Sequence, residues 1–529
     1  MTRSGLPHTN AATGQRIGDR LASAGRPVRK GLFLVALALL TLSAACDQTA
    51  ESIPPASPLA EVALTPTADP TATPAAPTAT RPPPPATAPP PPVPDPIRAA
   101  SALDPTDWPA PEPGTIHVDA GQTFGPVSPW AYGSNFDPGM IVPVALQAAA
   151  NADMGLRFMR FPGGSYGDLN IILPKQYDDF IKLARLLAAE PHIHVRYLDR
   201  TPADAAETVR TINVEKGYGV RYWAIGNEAP FFYRDETPQS YATAWRQFAE
   251  AMLAVDPSIT LVGPDISQFG PESLAATRSD VAEAREWMRV FLEANGDLIG
   301  LVTFHRYPFP LRNGLEGATI ATLRPIAAEF DASIPELRAM IRETTGRDIP
   351  IGLTEVNSDS NKSIDGEATP DSPFAAVWLA DVIGRFIRHG EPVVAQYAFQ
   401  TRDSRGGWGL LERSAVRPQY YVYQLYRRFG DQLVYAATDD PNVMVVAAGR
   451  SADGALTLMA VNLGDEAVTR PLRLTGHPGG AAEVYHIDET NLVDLPAAPD
   501  GREVLPPVEL ADGALLTLPP RSATLYVLP

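Results

Sequence analysis

The stretch YWAIGNEAPFF, residues 222–232, shows the pattern from which the fold is predicted. It begins with an aromatic and aliphatic run, passes through one glycine and turns abruptly polar at Asn227-Glu228. A short apolar run that ends at a turn residue is typical of a buried strand. Because a buried strand does not need a carboxylate at its end, we consider Glu228 a candidate for chemistry.

Seven further apolar runs of similar length follow the same pattern and alternate with helical segments. Threonine caps before proline, at Thr201-Pro202 and Thr237-Pro238, predict where two of those helices begin. Strands that alternate with helices imply a parallel sheet, and eight repeats in about 300 residues fit a closed (β/α)8 barrel. An open doubly wound sheet is the structural alternative, but the chain has no glycine-rich phosphate loop where that fold would need one. The eight runs are Trp130–Gly133, Leu156–Phe161, His192–Tyr197, Val220–Gly226, Ile259–Gly263, Ile299–His305, Ile349–Thr354 and Val393–Phe399.

After Gly430 the pattern changes to strands without intervening helices. This change predicts a β-sandwich over residues 431–529 behind a barrel over residues 127–430. The strand-like residues near the start of the folded part, within 114–126, are expected to add to this sandwich. We expect the sandwich to pack against the barrel rather than to bind sugar. Its predicted strands are Val443–Ala448, Ala455–Leu463, Ala482–Ile487, Leu515–Leu518 and Ser522–Leu528.

The N-terminal part of the chain predicts export rather than a folded domain. Residues 1–46 combine basic residues, an apolar run from Leu32 to Leu42 and the small residues before Cys46. That run is too short to span a bilayer permanently, and the order of its parts is that of a signal peptide. Cys46, the single cysteine, lies where the lipid-attachment cysteine of bacterial lipoproteins is found. An ordinary cleaved signal with an incidental cysteine is the alternative.

Residues 47–113 predict a tether that carries the folded part. Residues 51–113 contain 21 prolines in 63 positions. Such a composition cannot bury enough apolar surface to offset the entropy lost on ordering, and it favours a semi-rigid spacer. Together with the predicted lipid anchor, this arrangement would hold the folded part away from a membrane.

The overall charge excludes one class of partner. Acidic residues outnumber basic residues by 61 to 43, which gives a formal net charge of −18. A field of this sign repels phosphate backbones, so nucleic acid is not an expected partner.

A second carboxylate lies at the corresponding place on another predicted strand. In a parallel barrel the chemistry occurs at the C-terminal ends of the strands. Glu228 follows the fourth predicted strand, and Glu355 follows the seventh. Two carboxylates that face one opening suit cleavage of a glycosidic bond, because one donates a proton to the leaving oxygen and the other attacks or stabilises the sugar carbon.

Several motifs resemble those of the clan-A glycoside hydrolases, retaining enzymes built on this barrel. RYWAIGNE is similar to their fourth-strand signature, and LTEVN is similar to their seventh strand. The α-L-arabinofuranosidase-like families provide the nearest resemblance, which covers about residues 114–529. The motifs that carry it are VSPWAYGSNF at 127–136, RFPGG at 160–164, FHRYP at 304–308, GGWGLL at 406–411 and RPQYYVYQLY at 417–426.

The resemblance implies a role for each candidate site residue. Glu228 would be the general acid/base and Glu355 the nucleophile, with Arg160 pairing the Glu355 carboxylate. Asn227 would bond the sugar hydroxyl next to the reacting carbon. The remaining substrate-binding candidates are His305, Tyr307, Trp408 and Asn135. Arg160, His305 and Trp408 each also have a structural alternative, as an ion pair, a strand-end histidine and a core residue.

One pair of histidines has the spacing of metal ligands. His192 and His194 face the same side of a strand, but the sequence shows no third ligand near them. We therefore expect a core or sugar-contacting role, and no metal or other cofactor.

The sequence thus predicts an exported, lipid-anchored retaining glycosidase that acts on polysaccharide or oligosaccharide, with α-L-arabinofuranoside as the leading substrate. A β-xylosidase or an endo-acting glycan hydrolase on the same scaffold is the second reading. A surface glycan-binding lipoprotein without turnover is the third. Ala224, where many relatives carry a glutamate, and the unusual stretches at 165–174 and 192–200 leave the substrate open.

Overall fold

The computed structural model describes residues 108–138, 154–233, 235–308, 318–360, 365–400, 407–412, 416–492 and 503–529. Cys46, the predicted signal and most of the predicted tether lie outside the described residues. Among the described residues, no helix combines the length and the apolar character needed to cross a membrane.

A closed barrel of eight strands forms the larger part of the fold. Consecutive strands pair in parallel, and the last strand pairs in parallel with the first, which closes the barrel. The predicted (β/α)8 barrel is therefore confirmed. Its strands are β2 (Gly133–Asn135), β3 (Phe158–Phe161), β4 (Glu190–Val195), β5 (Tyr222–Ile225), β6 (Thr260–Ser267), β7 (Ile299–Arg306), β8 (Ile351–Val356) and β9 (Val393–Gln396).

The first of the eight predicted runs is only partly a strand. Residues Pro129–Tyr132 form a 3-10 turn, and the strand begins at Gly133. The reason is local, because the Ser128 side chain accepts a hydrogen bond from the Trp130 backbone N–H at 3.1 Å and Pro129 suits the first helical position.

Helices connect the strands of the barrel. Those at Pro202 and Pro238 begin as predicted, with Thr201 and Thr237 as N-caps. The helices are α1 (Tyr166–Leu169), α2 (Pro174–Leu186), α3 (Pro202–Val209), α4 (Ala229–Phe232), α5 (Pro238–Val255), α6 (Glu272–Ala275), α7 (Ser279–Asn295), α8 (Ile320–Leu323), α9 (Phe330–Thr345), α10 (Pro373–Arg388) and α11 (Pro418–Tyr426).

The remaining strands form a second, nine-stranded sheet. Apolar side chains from all nine strands belong to one buried cluster, which is possible only because the sheet folds back on itself into two layers. This arrangement agrees with the predicted sandwich. In sheet order the strands are β15 (Glu503–Leu510), β14 (Gly480–Ile487), β17 (Ser522–Leu528), β12 (Leu456–Asn462), β11 (Val443–Gly449), β10 (Gln432–Thr438), β1 (Ile116–Pro126), β13 (Val468–Thr475) and β16 (Leu515–Leu518).

Strand β1 joins the sheet from the N-terminal side of the barrel. It pairs antiparallel with β10 and parallel with β13. The other face of the sheet packs on the barrel through α10, which contacts β11, β12 and β17. Gly384 of α10 allows this close approach, because a Cβ there would lie 2.1 Å from the Met444 Cε atom. The contact of the C-terminal strands with the barrel agrees with the sequence expectation.

Candidate active site

A tight turn after β5 determines where Glu228 points. Gly226 has φ +74°, and a Cβ there would lie 2.4 Å from the Tyr233 hydroxyl oxygen, so only glycine fits. That hydroxyl accepts a hydrogen bond from the Asn227 backbone N–H at 2.8 Å and donates one to the buried Asp168 carboxylate. Glu228 itself has φ +50°, in the left-handed region. These contacts hold the turn in one conformation and aim the Glu228 side chain at the barrel opening.

The two glutamates predicted from the sequence meet at this opening. Ligand atoms of Glu228, His305 and Glu355 all lie within 4.8 Å of one another. The Glu228 side chain is 13 % exposed and that of Glu355 is 5 % exposed. Both line an open pocket of about 290 Å³. The other described residues of the pocket are Gly164, Ser165, Phe231, Phe232, Ser267, Gln268, Asp280, Tyr307, Ser360, Tyr397 and Trp408.

Two donors fix the Glu355 carboxylate. Arg160 donates from Nη1 to Oε1 at 2.7 Å, and the Tyr307 hydroxyl donates to Oε2 at 2.8 Å. Each carboxylate oxygen therefore has a protein donor, and the guanidinium adds a charge-assisted bond. Arg160 was predicted to pair with this carboxylate, and the structure places it there; Tyr307, a predicted substrate-binding residue, bonds the same carboxylate.

Arg160 connects Glu355 to the rest of the site. Its side chain is fully buried. Its Nη2 donates to the Asn227 Oδ1 atom at 2.7 Å and to the Asp265 Oδ2 atom at 3.0 Å, and its Nη1 donates to the Asn135 Oδ1 atom at 3.0 Å. Burial alone would lower the pKa of Arg160, but the carboxylates of Asp265 and Glu355 raise it above its usual value. The guanidinium is thus a permanent positive charge beneath the two glutamates.

Asp265 is the site residue that sequence reasoning missed. It lies in β6, two residues beyond the predicted strand end at Gly263, and it is buried. Its Oδ1 atom accepts a hydrogen bond from the Thr354 hydroxyl at 2.5 Å, and its backbone oxygen accepts one from the Glu228 N–H at 3.1 Å. Burial would raise the pKa of Asp265, but Arg160 and His305 hold it well below its usual range. A carboxylate directly after Gly263-Pro264 was the available signal.

His305 lies between the acidic groups. Its Nδ1 atom is 3.0 Å from the Glu228 Oε1 atom and 3.8 Å from the Glu355 Oε1 atom, and its Nε2 atom is 3.6 Å from the Asp265 Oδ1 atom. Burial alone would lower the pKa of His305, but the carboxylates of Glu355, Asp265 and Glu228 outweigh it and raise the pKa to about 9. The imidazole is therefore protonated at neutral pH and serves as a second cation in the cluster.

The predicted substrate-binding residues separate into two groups. Tyr307 and Trp408 line the pocket, and the Trp408 indole N–H donates to the Asp359 backbone oxygen at 3.2 Å. Asn227 is buried, and its Nδ2 has no hydrogen-bond partner among the described residues. Asn135 instead lies below the opening, where its Nδ2 donates to the Thr354 backbone oxygen at 2.8 Å. Its predicted sugar contact stays a prediction, because its amide is already engaged by the protein.

The histidine pair lies deeper in the barrel. His192 and His194 are buried in β4, and their ring nitrogens have no hydrogen-bond partner among the described residues. Burial lowers the pKa of both rings, to about 3 for His192, so both are neutral. Gly167 makes room for His194, because a Cβ there would lie 1.9 Å from the His194 Nε2 atom. Neither histidine lines the pocket, which fits the predicted core role better than a sugar contact.

The set Glu228, His305 and Glu355 is also compact enough to hold a cation. The sequence expectation of no metal cofactor stays a prediction.

The barrel followed by a two-layered sheet is a fold that this chain shares with solved arabinofuranosidases. The α-L-arabinofuranosidase from Thermotoga maritima, solved as an arabinose complex, matches with a TM-score of 0.62 at 17 % sequence identity. The match covers 78 % of this chain and 99 % of that one. The predicted resemblance is therefore confirmed at the level of the fold.

Comparison by sequence gives two kinds of relative. The probable α-L-arabinofuranosidase C of Aspergillus terreus is 30 % identical over 102 residues, which is 16 % of this chain and 20 % of that enzyme. The β-xylosidase of Geobacillus stearothermophilus is 22 % identical over 321 residues, which is 56 % of this chain and 53 % of that enzyme. The chain thus spans a fifth to about half of the length of these relatives. No protein-family profile matches the chain.

Proposed function

We propose that this protein is an exported retaining glycoside hydrolase that cleaves its substrate by double displacement on Glu228 and Glu355, with α-L-arabinofuranoside as the leading substrate. The observation that carries the proposal is the approach of the two carboxylates within 4.8 Å at the opening of the barrel. Retaining enzymes keep their two carboxyl groups about 5–5.5 Å apart, whereas inverting enzymes separate them by about 6.5–9.5 Å.

Glu355 has the surroundings of the nucleophile. Arg160 and Tyr307 bond one carboxylate oxygen each and thereby fix its orientation. A fixed carboxylate meets the sugar carbon in a near-attack geometry without further ordering. Glu355 would then form the covalent bond to the sugar and be released by water in the second step.

Glu228 has the surroundings of the general acid and base. Its side chain is the more exposed of the pair, and the hydrogen-bond contact of that side chain among the described residues is with His305. The acid must reach the leaving oxygen and later an incoming water, so access to the pocket is a requirement of the role.

The sugar is proposed from the relatives rather than from the pocket. The Aspergillus terreus and Thermotoga maritima proteins are named for α-L-arabinofuranosidase activity. A β-xylosidase is the second candidate, and it is favoured by the longer sequence match to the Geobacillus stearothermophilus enzyme. Endo-acting hydrolysis on the same scaffold remains part of this second reading. A binding protein without turnover is the third, and the intact pair of glutamates speaks against it.

Separate Glu228→Gln and Glu355→Gln variants test the mechanism. Each is expected to lower kcat by at least ~10³-fold on a substrate with a poor leaving group while the protein stays folded. An aryl glycoside with a good leaving group should recover much of the first step in Glu228→Gln, because its oxygen needs no proton. No such recovery is expected in Glu355→Gln.

The matched control is Glu391→Gln at the opposite end of the barrel. Glu391 is also buried, and it accepts hydrogen bonds from the Arg338 Nε atom at 2.8 Å and from the Ile351 backbone N–H at 2.7 Å. Its substitution should lower stability and leave kcat close to that of the wild type. Near-normal activity in Glu228→Gln or Glu355→Gln would refute the role of that residue.

A panel of aryl glycosides and polysaccharides decides among the three readings. Release of arabinose from arabinofuranosides supports the first, xylose release or internal chain cleavage supports the second, and binding without product supports the third. Retention is checked by following the anomeric form of the first product by NMR. An inverted product would exclude double displacement.

Export and lipid attachment are proposed from the sequence alone. The wild-type protein should incorporate labelled palmitate when expressed in a bacterium, and Cys46→Ser should abolish the label while leaving hydrolysis intact. Equal labelling of the two proteins would refute the anchor.

A further inference from the structure

Two aromatic rings line the pocket next to Glu228. Phe231 and Phe232 belong to α4, which begins at the residue after Glu228. Their ring centroids are 4.9 Å apart at an interplanar angle of 79°. Phe231 is 46 % exposed, whereas Phe232 is partly buried and packs against the barrel core. We call this pair the aromatic wall.

The aromatic wall lies on one side of the acidic pair. Helix α4 packs against β6, which neighbours β5 in the barrel. Glu355 is on β8, three strands away from β5 in barrel order. The wall therefore lies beside Glu228, on the β6 side of the opening. Tyr397 and Trp408 belong to the opposite part of the pocket, at and beyond β9.

The position of the acid fixes which part of a substrate would meet this wall. A general acid protonates the oxygen of the leaving group, so the leaving group lies against the acid while the sugar that is transferred faces the nucleophile. Folding leaves Phe231 nearly half exposed at this place although burying an aromatic ring is favourable. A flat apolar partner would cover that ring.

We infer that Phe231 and Phe232 form the leaving-group subsite, and that this subsite selects leaving groups with a flat apolar face. An aryl group and the CH face of a pyranose share this chemistry. Ser267 and Gln268 line the pocket near the wall and would meet the hydroxyl groups of a pyranose. The inference rests on the proposed glycosidase function, because the leaving group lies beside Glu228 only if Glu228 is the general acid.

The test compares three glycosides of the sugar that the substrate panel identifies. The methyl glycoside has no flat face, the benzyl glycoside has an aryl face, and the xylobiose-linked glycoside has a pyranose face. The readout is kcat/KM for each of the last two divided by kcat/KM for the methyl glycoside. Phe231→Ala should lower these ratios about tenfold, the size expected for the loss of one aromatic contact and its buried area.

Two further variants make the result specific. Phe231→Leu keeps an apolar side chain but removes the ring, so it should lower the ratios nearly as much. Leu515→Ala on β16 is the matched control, because Leu515 is 72 % exposed and lies on the C-terminal sheet. It should leave the ratios unchanged.

A fall of the benzyl ratio alone identifies an aryl leaving group, and a fall of the xylobiose ratio alone identifies a pyranose. A fall of both ratios supports a subsite that accepts any leaving group with a flat apolar face. Ratios within twofold of the wild type in both Phe231 variants would overturn the inference. Absence of hydrolysis of all three glycosides by the wild-type protein would refute the proposed function itself, and the inference with it.

Discussion

The two ends of the barrel interior are built from the same strands and contain opposite kinds of side chain. At the N-terminal end the strands contribute Phe158, Tyr222, Leu301 and Val393 to an apolar cluster, which Trp130 of the preceding 3-10 turn joins. At the C-terminal end they contribute a buried cluster of two cations and three carboxylates. The N-terminal end has the apolar composition of an ordinary protein core, whereas the C-terminal end consists mainly of charged groups.

A single step of two residues separates the two environments on β3. Phe158 packs in the apolar cluster, and Arg160, which faces the same way, bonds Glu355 and Asp265. Burying charged groups is costly unless they are paired and hydrogen-bonded. Packing at the apolar end can supply the stability that the charged end lacks. The fold can therefore hold buried charged groups in fixed positions at the site.

The largest expected effect tests the apolar end. Phe158→Ala removes a fully buried ring that packs at a tilt against the rings of Trp130 and His192, and it should lower the free energy of unfolding by about 3–5 kcal/mol. Denaturant unfolding measures this change. The kcat of the folded fraction should fall far less than in Glu228→Gln or Glu355→Gln. A loss of activity that matches those variants would show that the two ends are not separable.

The next effect tests the charged end through pH. The pKa of His305 rises from 6.5 to about 9 on folding, so the native state binds this proton more tightly than the unfolded chain. The resulting stabilisation is fully present below pH 6.5 and is lost as pH rises through about 9. Its size is on the order of 3 kcal/mol.

Unfolding of the wild type and His305→Gln at pH 6 and pH 9.5 measures this linkage. The wild type should lose more stability over this interval than the variant, which lacks the titrating group. Parallel losses in the two proteins would mean that the carboxylates around His305 do not hold its proton.

A smaller expected effect, on kcat, tests Asp265, which contacts both Arg160 and His305. Asp265→Asn removes the charge partner of Arg160 and one of the carboxylates near His305. We expect kcat to fall about 10²-fold with little change in KM, because Glu355 and Glu228 lose their fixed positions. The alkaline loss of stability that accompanies deprotonation of His305 should also occur at lower pH, since His305 loses a group that favours its proton.

Asp381→Asn provides the comparison for this variant. Asp381 is buried in α10 and pairs with Arg385, as Asp265 pairs with Arg160, but it does not line the pocket. It should cost stability and leave kcat and its pH profile unchanged. If Asp265→Asn behaved in the same way, Asp265 would be a structural residue only.

Much of the barrel was predictable because its strands are buried on both faces. The run Tyr222–Ile225, for example, is apolar throughout, so it stands out from the helices around it. The strands of the C-terminal sheet were harder to recognise. Strand β13 contains Pro471 and alternates exposed with more buried residues, and strand β15 contains Pro506 and Pro507. Both strands were missed, as was β10.

The site was predictable where a strand end alone identifies a residue. Glu228 and Glu355 follow apolar runs, so the rule for parallel barrels was sufficient to select them. Asp265 escaped because its role depends on bonds to Arg160 and Thr354, which are 105 and 89 residues away in the chain. The placement of Asn135 below the opening could not be predicted either, because it depends on which groups its amide meets across the barrel.

The insertion of β1 into the C-terminal sheet has a consequence for how this protein can be divided. The sheet needs a strand from before the barrel, and nearly every residue of α10 is buried beneath the sheet or against the barrel. A cut near Gly430 would leave β1 without its β10 neighbour and uncover an apolar helix. The barrel and the C-terminal sheet can thus be passed on in evolution only together. A recombination event near Gly430 would leave both parts incomplete.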